Sequence, residues 1–153
     1  MSLIGKILTR DNVLLDLDVA SKKRVFEQVG LLIENTRGIA RSEVFECLFA
    51  REKLGSTGLG QGVAIPHGRA RGLKEAAGVL IRLKSAIPFD APDGKPVQIL
   101  FVLLVPEQAT DLHLQVLSEL AQLFSSRPLR EKLLAAQNAD ELYTLLTEWS
   151  PHA

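Results

Sequence analysis

The chain has one cysteine, Cys47, among 153 residues, so no internal disulfide can form and a reducing compartment suits it. It has no excess charge of either sign, since eighteen Lys and Arg balance eighteen Asp and Glu. Nucleic-acid binders draw most of their affinity from a basic face that neutralises phosphates, and a neutral chain argues against that class. No apolar run approaches the ~20 residues of a membrane-spanning helix. The longest, Ile99 to Val105, has the length of a buried strand. The opening Met1-Ser2-Leu3-Ile4-Gly5-Lys6-Ile7-Leu8 is too short and too broken by polar residues for a secretory signal. A cytoplasmic protein without membrane insertion is expected. There is no HExxH or CxxC spacing for a metal and no Gly-x-Ser-x-Gly elbow for a serine nucleophile. Neither a cofactor nor a metal is expected.

What is present reads as one globular domain over residues 1–153, with 46% hydrophobic and 24% charged residues and no repeat or linker. Ser21 is an N-cap for a helix carrying Val25, Val29, Leu32 and Ile33 at helical spacing, and Gly38 stops it. A second helix is expected after Ser42, with Val44, Phe45 and Leu48 inward, running to about Arg51. The glycine-rich stretch Gly55 to Gly62 suits a loop rather than a helix or long strand. Strands are expected over Val63 to Ile65, Ala77 to Leu83 and Val97 to Val105. The last two are nearly all apolar, as in strands covered on both faces. The Pro92-Asp93-Gly94 turn between them leaves about a dozen residues of connection, short for a parallel crossover, so antiparallel pairing is expected. Thr110 or Asp111 caps a helix striped by Leu117, Leu120 and Phe124. Asn138 with Glu141 resembles a capping box before Leu142, Leu145, Leu146 and Trp149. The whole reads as an α/β (α+β) sandwich with a mixed central sheet flanked by helices.

The chemistry concentrates in Gly55-Ser-Thr-Gly-Leu-Gly-Gln-Gly-Val-Ala-Ile-Pro-His67-Gly68-Arg69. Pro66 biases Ile65 toward an extended form, and Gly68 is expected to let the backbone turn away after the histidine. The imidazole of His67 then projects from a strand end, where ligand sites of open α/β sheets gather. A neutral imidazole is a nucleophile near neutral pH. Backbone N–H groups of the glycine loop are candidates for an anion nest, and the hydroxyls of Ser56 and Thr57 for donors to phosphate oxygens. The plainer alternative for Pro-His-Gly is an exposed turn. His113 lies in the first turn of its helix and on its apolar face with Leu117, Leu120 and Phe124. There it is either a neutral donor to a bound anion or a core-edge histidine, and the residues alone favour the second. Arg51 is either a fork of donors for transferred negative charge or a surface arginine ending a helix. Arg69 and Arg71 carry the same ambiguity. His152, near the end, reads as surface. A metal hydrolase using His67, His113 and Asp111 is a remote third reading.

The fifteen residues Leu54 to Gly68 resemble the phosphorylation motif of the mannitol/fructose-type (type-2) enzyme IIA domains of the bacterial phosphotransferase system. Leu103-Leu104-Val105-Pro106 and Leu112-His113-Leu114-Gln115-Val116-Leu117 resemble that family's second-histidine segment. The resemblance implies a single α/β sandwich in which His67 accepts a phosphoryl group from an HPr-like phosphocarrier protein. It implies that His113 helps to hold that group and that Arg51 belongs to the active-site region. Asn12 to Leu17 and Ser21-Lys22-Lys23-Arg24 look most like the nitrogen-regulatory branch, which controls partner proteins. A stand-alone regulator without a fused enzyme IIB or IIC region is expected. A sugar-specific enzyme IIA that passes phosphate to an enzyme IIB is the alternative. Gln61 departs from the more usual asparagine or acidic residue, at a place peripheral to His67.

Overall fold

A computed structural model describes residues 3–109 and 111–149, so Thr110 and His152 lie outside the described residues. The order of elements is α1 (Ile4–Ile7), β1 (Leu8–Leu17), α2 (Lys22–Arg37), α3 (Arg41–Lys53), β2 (Gly58–Gly60), β3 (Val63–Ala64) and β4 (His67–Ala70). There follow β5 (Ala77–Ile87), β6 (Val97–Pro106), α4 (Asp111–Phe124), α5 (Arg127–Ala135) and α6 (Ala139–Thr147).

The sheet has six strands in the order β1-β5-β6-β3-β2, and β4 also pairs with β6. The β5–β6 pairing is antiparallel as expected, while β1–β5, β3–β6 and β4–β6 are parallel, so the sheet is mixed. Strand β6 is its spine. With period-2 alternation, Ile99, Phe101, Leu103 and Val105 enter one core with residues of α1, α4, α5 and α6. Leu100, Val102 and Leu104 enter a second core with residues of α2 and α3. Burial on both faces explains the unbroken hydrophobicity of this strand. Among the described residues, no helix is long and apolar enough to cross a membrane.

Local signals set most boundaries. Ser21 Oγ accepts the Arg24 N–H at 3.2 Å, and Gly38 ends α2 in the left-handed region at φ 71°. Helix α3 begins at Arg41, before the expected Ser42, because the Glu34 carboxylate of α2 reaches across to accept the Arg41 N–H at 3.0 Å. Asn138 Oδ1 accepts the Glu141 N–H at 2.9 Å, while the returning Glu141 carboxylate meets the Gln137 N–H rather than that of the cap residue.

Gly78, on β5, shows how tightly the sheet is packed. A Cβ built there would lie 2.4 Å from Cζ of the fully buried Phe101. Gly78→Ala is expected to lower the unfolding free energy by about 1–3 kcal/mol through overpacking. Urea titration checks this, and an unchanged midpoint would mean that the ring yields freely.

Candidate functional site

Strand β4 places His67 at the edge of the sheet, in parallel register with Leu103 of β6. The Pro66 carbonyl accepts the Leu103 N–H at 2.9 Å and carries the ladder on from β3 into β4. Here one expectation needs correction. The chain does not turn away at Gly68; it continues as a strand through Ala70. The glycine is needed for close approach instead, since a Cβ would stand 3.0 Å from both the carbonyl oxygen and Sγ of Cys47 on α3. By strand alternation, Gly68 faces α3, and His67 and Arg69 face the opposite side.

His67, Arg51 and His113 line one open cavity of about 410 Å³, together with Cys47, Leu54, Gly68, Arg69 and apolar neighbours. The ring of His67 is held at both nitrogens. Nδ1 lies 2.9 Å from the Ile65 carbonyl oxygen, and Arg51 Nε lies 3.3 Å from Nε2. A carbonyl only accepts and a guanidinium only donates, so Nδ1 carries the proton and Nε2 presents its lone pair. Arg51 sits in the last turn of α3, where a cation is favoured by the helix dipole, and its Nη1 donates to the Gly55 carbonyl at 2.9 Å. His113 lies in the first turn of α4, on the face that buries Val116, Leu120 and Phe124. Its Nδ1 is buried without a hydrogen-bond partner among the described residues.

Burial holds the His67 pKa below the ordinary histidine value. The Ile65 carbonyl opposes that, and the charge of Arg51 and the nearby His113 reinforce it. The neutral ring is thus the resting form at neutral pH. Because the folded pKa is depressed, the unfolded chain binds the proton more readily. This residue's contribution to stability is therefore present above about pH 6.5, the unperturbed histidine value, and is lost as pH falls through the folded value. An NMR titration of the His67 ring is expected to give a midpoint below 6.5, and His67→Ala to flatten the acid side of the stability profile. A midpoint above 6.5 would contradict the burial argument. Burial also pushes the Cys47 thiol up to about 12, reinforced by the Glu43 carboxylate, so it stays protonated beside the histidine.

The glycine loop does something other than expected. The N–H of Gly55 goes to the Glu52 carbonyl, that of Thr57 to the Glu52 carboxylate, that of Gly58 to Ser56 Oγ and that of Gln61 to Asp93. The Ser56 hydroxyl donates to the Phe89 carbonyl at 2.7 Å and the Thr57 hydroxyl to Glu52 at 2.6 Å. These groups are engaged by the loop itself and by Glu52, Phe89 and Asp93 beside it, and none of the residues from Gly55 to Gly62 lines the cavity. The loop reaches the site through the Gly55 carbonyl, on Arg51, and through the Thr57 carbonyl, which accepts the N–H of Ile65 behind His67. Arg69 lines the cavity, but its Nη1 donates to the carbonyls of Glu107 and Ala109, tying β4 to the segment before α4. Arg71 is exposed, 3.9 Å from the Glu107 carboxylate, and lies outside the cavity. Asp111 is exposed. Glu52 was not singled out from the sequence; its signal there is an acidic residue directly after Arg51 and five before Thr57.

The arrangement offers a nucleophilic nitrogen, a guanidinium against it and a second imidazole at the same opening, which suits attack on an electrophile bearing negative charge. Residues 6–149 match the model of a family described as "Phosphoenolpyruvate-dependent sugar phosphotransferase system, EIIA 2". The nitrogen regulatory protein of Pseudomonas aeruginosa is 41% identical over 146 residues, 95% of each chain. The fructose-specific EIIA component of Haloferax volcanii is 32% identical over 146 residues, also 95% of each. The crystal structure of the nitrogen regulatory protein IIA-Ntr from Neisseria meningitidis is 57% identical and has a TM-score of 0.91, covering 95% of this chain and 100% of that one.

Proposed function

This chain belongs to the EIIA 2 family of the phosphoenolpyruvate-dependent sugar phosphotransferase system, and we propose that it carries a phosphoryl group on His67 as a cytoplasmic component of that system. The donor is an HPr-like phosphocarrier protein. The observation that carries the reading is the state of one ring: Nδ1 is occupied by the Ile65 carbonyl, and Nε2 keeps a lone pair at the mouth of the cavity. In the transfer, the P–N bond on the donor histidine breaks as a new P–N bond forms to Nε2, while Nδ1 keeps its proton. Little covalent help is needed, because phosphoryl transfer depends mainly on alignment and charge stabilisation. Arg51, already within reach of Nε2, turns its donors to the incoming oxygens, and His113, in the same cavity, helps to hold the group.

A protein donor has to approach closely, and the rim suits that. Leu54 lines the opening and is 85% exposed, and Leu114, next to His113, is 59% exposed. The nitrogen-regulatory branch, in which phosphorylation at His67 switches the binding of partner proteins, is supported by the identities to nitrogen regulatory proteins. The second reading, a sugar-pathway carrier that hands the group to an enzyme IIB, is supported by the 32% identity to a fructose-specific component.

The test is a mixture of phosphoenolpyruvate, the general phosphotransferase enzyme and an HPr-like donor, with the product mapped by ³¹P and ¹⁵N NMR. Phosphate on Nε2 of His67 is expected; phosphate on Nδ1, or on another residue, overturns the assignment. Adding candidate enzyme IIB proteins then separates the branches, since rapid discharge to one of them favours the sugar pathway.

A further inference from the structure

Glu52 is buried near the end of α3, where an unpaired carboxylate would be costly. It is fully engaged. One oxygen accepts the Thr57 hydroxyl at 2.6 Å; the other accepts the Thr57 N–H at 3.1 Å and Lys22 Nζ at 2.9 Å. The paired bonds to Thr57 close the turn that follows α3, and the Gly55 N–H on the Glu52 carbonyl at 3.2 Å closes it further. Lys22 is itself fixed over the Phe89 ring, 4.4 Å from its centroid.

Two arms leave this clasp, and both end at the His67 ring, one at each nitrogen. On the first, the Gly55 carbonyl accepts Arg51 Nη1 at 2.9 Å. The guanidinium is rigid and planar, so fixing Nη1 also aims Nε, which meets His67 Nε2 at 3.3 Å. On the second, the Thr57 carbonyl accepts the Ile65 N–H at 3.0 Å, and the Ile65 carbonyl accepts the His67 Nδ1–H at 2.9 Å. The direction of the arginine and the tautomer of the histidine therefore depend on the same carboxylate.

We infer that Glu52 and Thr57 are positioning residues whose clasp holds Arg51 beside His67 and keeps the ring in its Nδ1–H tautomer, so that the Nε2 lone pair is free to attack as Arg51 turns to the incoming oxygens. Neither touches the reacting atoms. The negative charge of Glu52 also reaches His67, where it opposes the effect of burial on the ring. For its kinetic consequence the inference rests on the reading of His67 as acceptor; for its structural content it does not.

The decisive comparison is Thr57→Val against Thr57→Ser. Valine keeps the shape and the N–H but removes the hydroxyl, and serine returns it. In folded Thr57→Val, ¹⁵N NMR of the unphosphorylated protein is expected to show His67 changing from a pure Nδ1–H tautomer to a mixture. Single-turnover phosphoryl uptake is expected to fall by on the order of ten- to a hundredfold through misalignment. Thr57→Ser should recover both, which a general loss of stability would not explain. A folded Thr57→Val protein with the wild-type tautomer, or with a mixed tautomer and undiminished uptake, overturns the inference. Should valine prevent folding, Glu52→Gln is read in the same way, with the same results deciding. Because the tautomer is measured without phosphate, failure of the wild-type protein to take up phosphate would sink the acceptor reading alone.

Discussion

His67→Ala is expected to give a folded protein whose phosphoryl uptake from an HPr-like donor falls by at least about a thousandfold, since a covalent acceptor has no partial substitute. The size of the effect depends on whether a neighbour can take over. Cys47 stands closest to the strand, but burial pushes its thiol up to about 12, so the nucleophilic thiolate is scarce at neutral pH. His113 shares the cavity, yet its Nδ1 is buried without a hydrogen-bond partner among the described residues, so no carbonyl there holds the proton that would leave Nε2 its lone pair, as Ile65 does for His67. The remaining cations, Arg51 and Arg69, are not nucleophiles at all. The vacated cavity thus keeps its donors and loses its acceptor. Radiolabel transfer in the reconstituted mixture checks this, with circular dichroism to confirm the fold. Label retained at more than a trace on any other residue would place the acceptor elsewhere.

Much of this was legible in the sequence, and particular residues show why. The core strands could be read because β5 from Ala77 to Leu83 and nearly all of β6 are buried on both faces, and Arg82 and Gln98 are the polar residues that interrupt the pattern there. Ser21, Gly38 and Asn138 could be read because caps are local chemistry. Strand β1 was not read as a strand. Its burial does not alternate, and its register with β5 shifts between Leu8 and Val13, so the period that marks a strand is broken. Helix α5 was also passed over, although Ser126 caps it and Pro128 lies in its first turn. At nine residues it is too short for a strong periodic signal.

The site divides along the same line. His67, His113 and Arg51 are chemical types whose presence a sequence displays, and the fold brings all three to one opening. The work of Gly68 and of the glycine loop is set by tertiary contact: the sulfur of Cys47 in one case, the carboxylate of Glu52 in the other. A motif shows which backbone is unusual, but not what that backbone is avoiding or holding. That is why a turn and an anion nest were expected where the structure has a continuous strand and a brace for Arg51.

Arg82→Ala is expected to lower the unfolding free energy by about 3 kcal/mol, the largest stability effect anticipated for a residue outside the site. Arg82 lies on β5 between the buried Ile81 and Leu83 and is 8% exposed. Its Nη1 donates to the carbonyls of Leu133, Leu134 and Ala136 at 3.0, 3.2 and 2.6 Å, which are the open acceptors at the end of α5. Nε and Nη2 both donate to Asp16 Oδ1 on β1, at 3.2 and 3.0 Å. One guanidinium thus joins the edge strand, the sheet and a helix terminus. Asp16 is half exposed, so water can replace the lost partner there, and its share of the cost is small. The carbonyls of Leu133 and Ala136 form buried bonds, and alanine would leave them unpaired next to a cavity. Arg82→Lys, with a single ammonium, can serve one side of this junction but not both, and an intermediate loss is expected. Since Arg82 lines no part of the His67 cavity, both variants should take up phosphate normally while folded. Urea unfolding at pH 7 decides the matter: if Arg82→Ala cost less than about 1 kcal/mol, within the range of an ordinary surface ion pair, the carbonyls must be satisfied in another way.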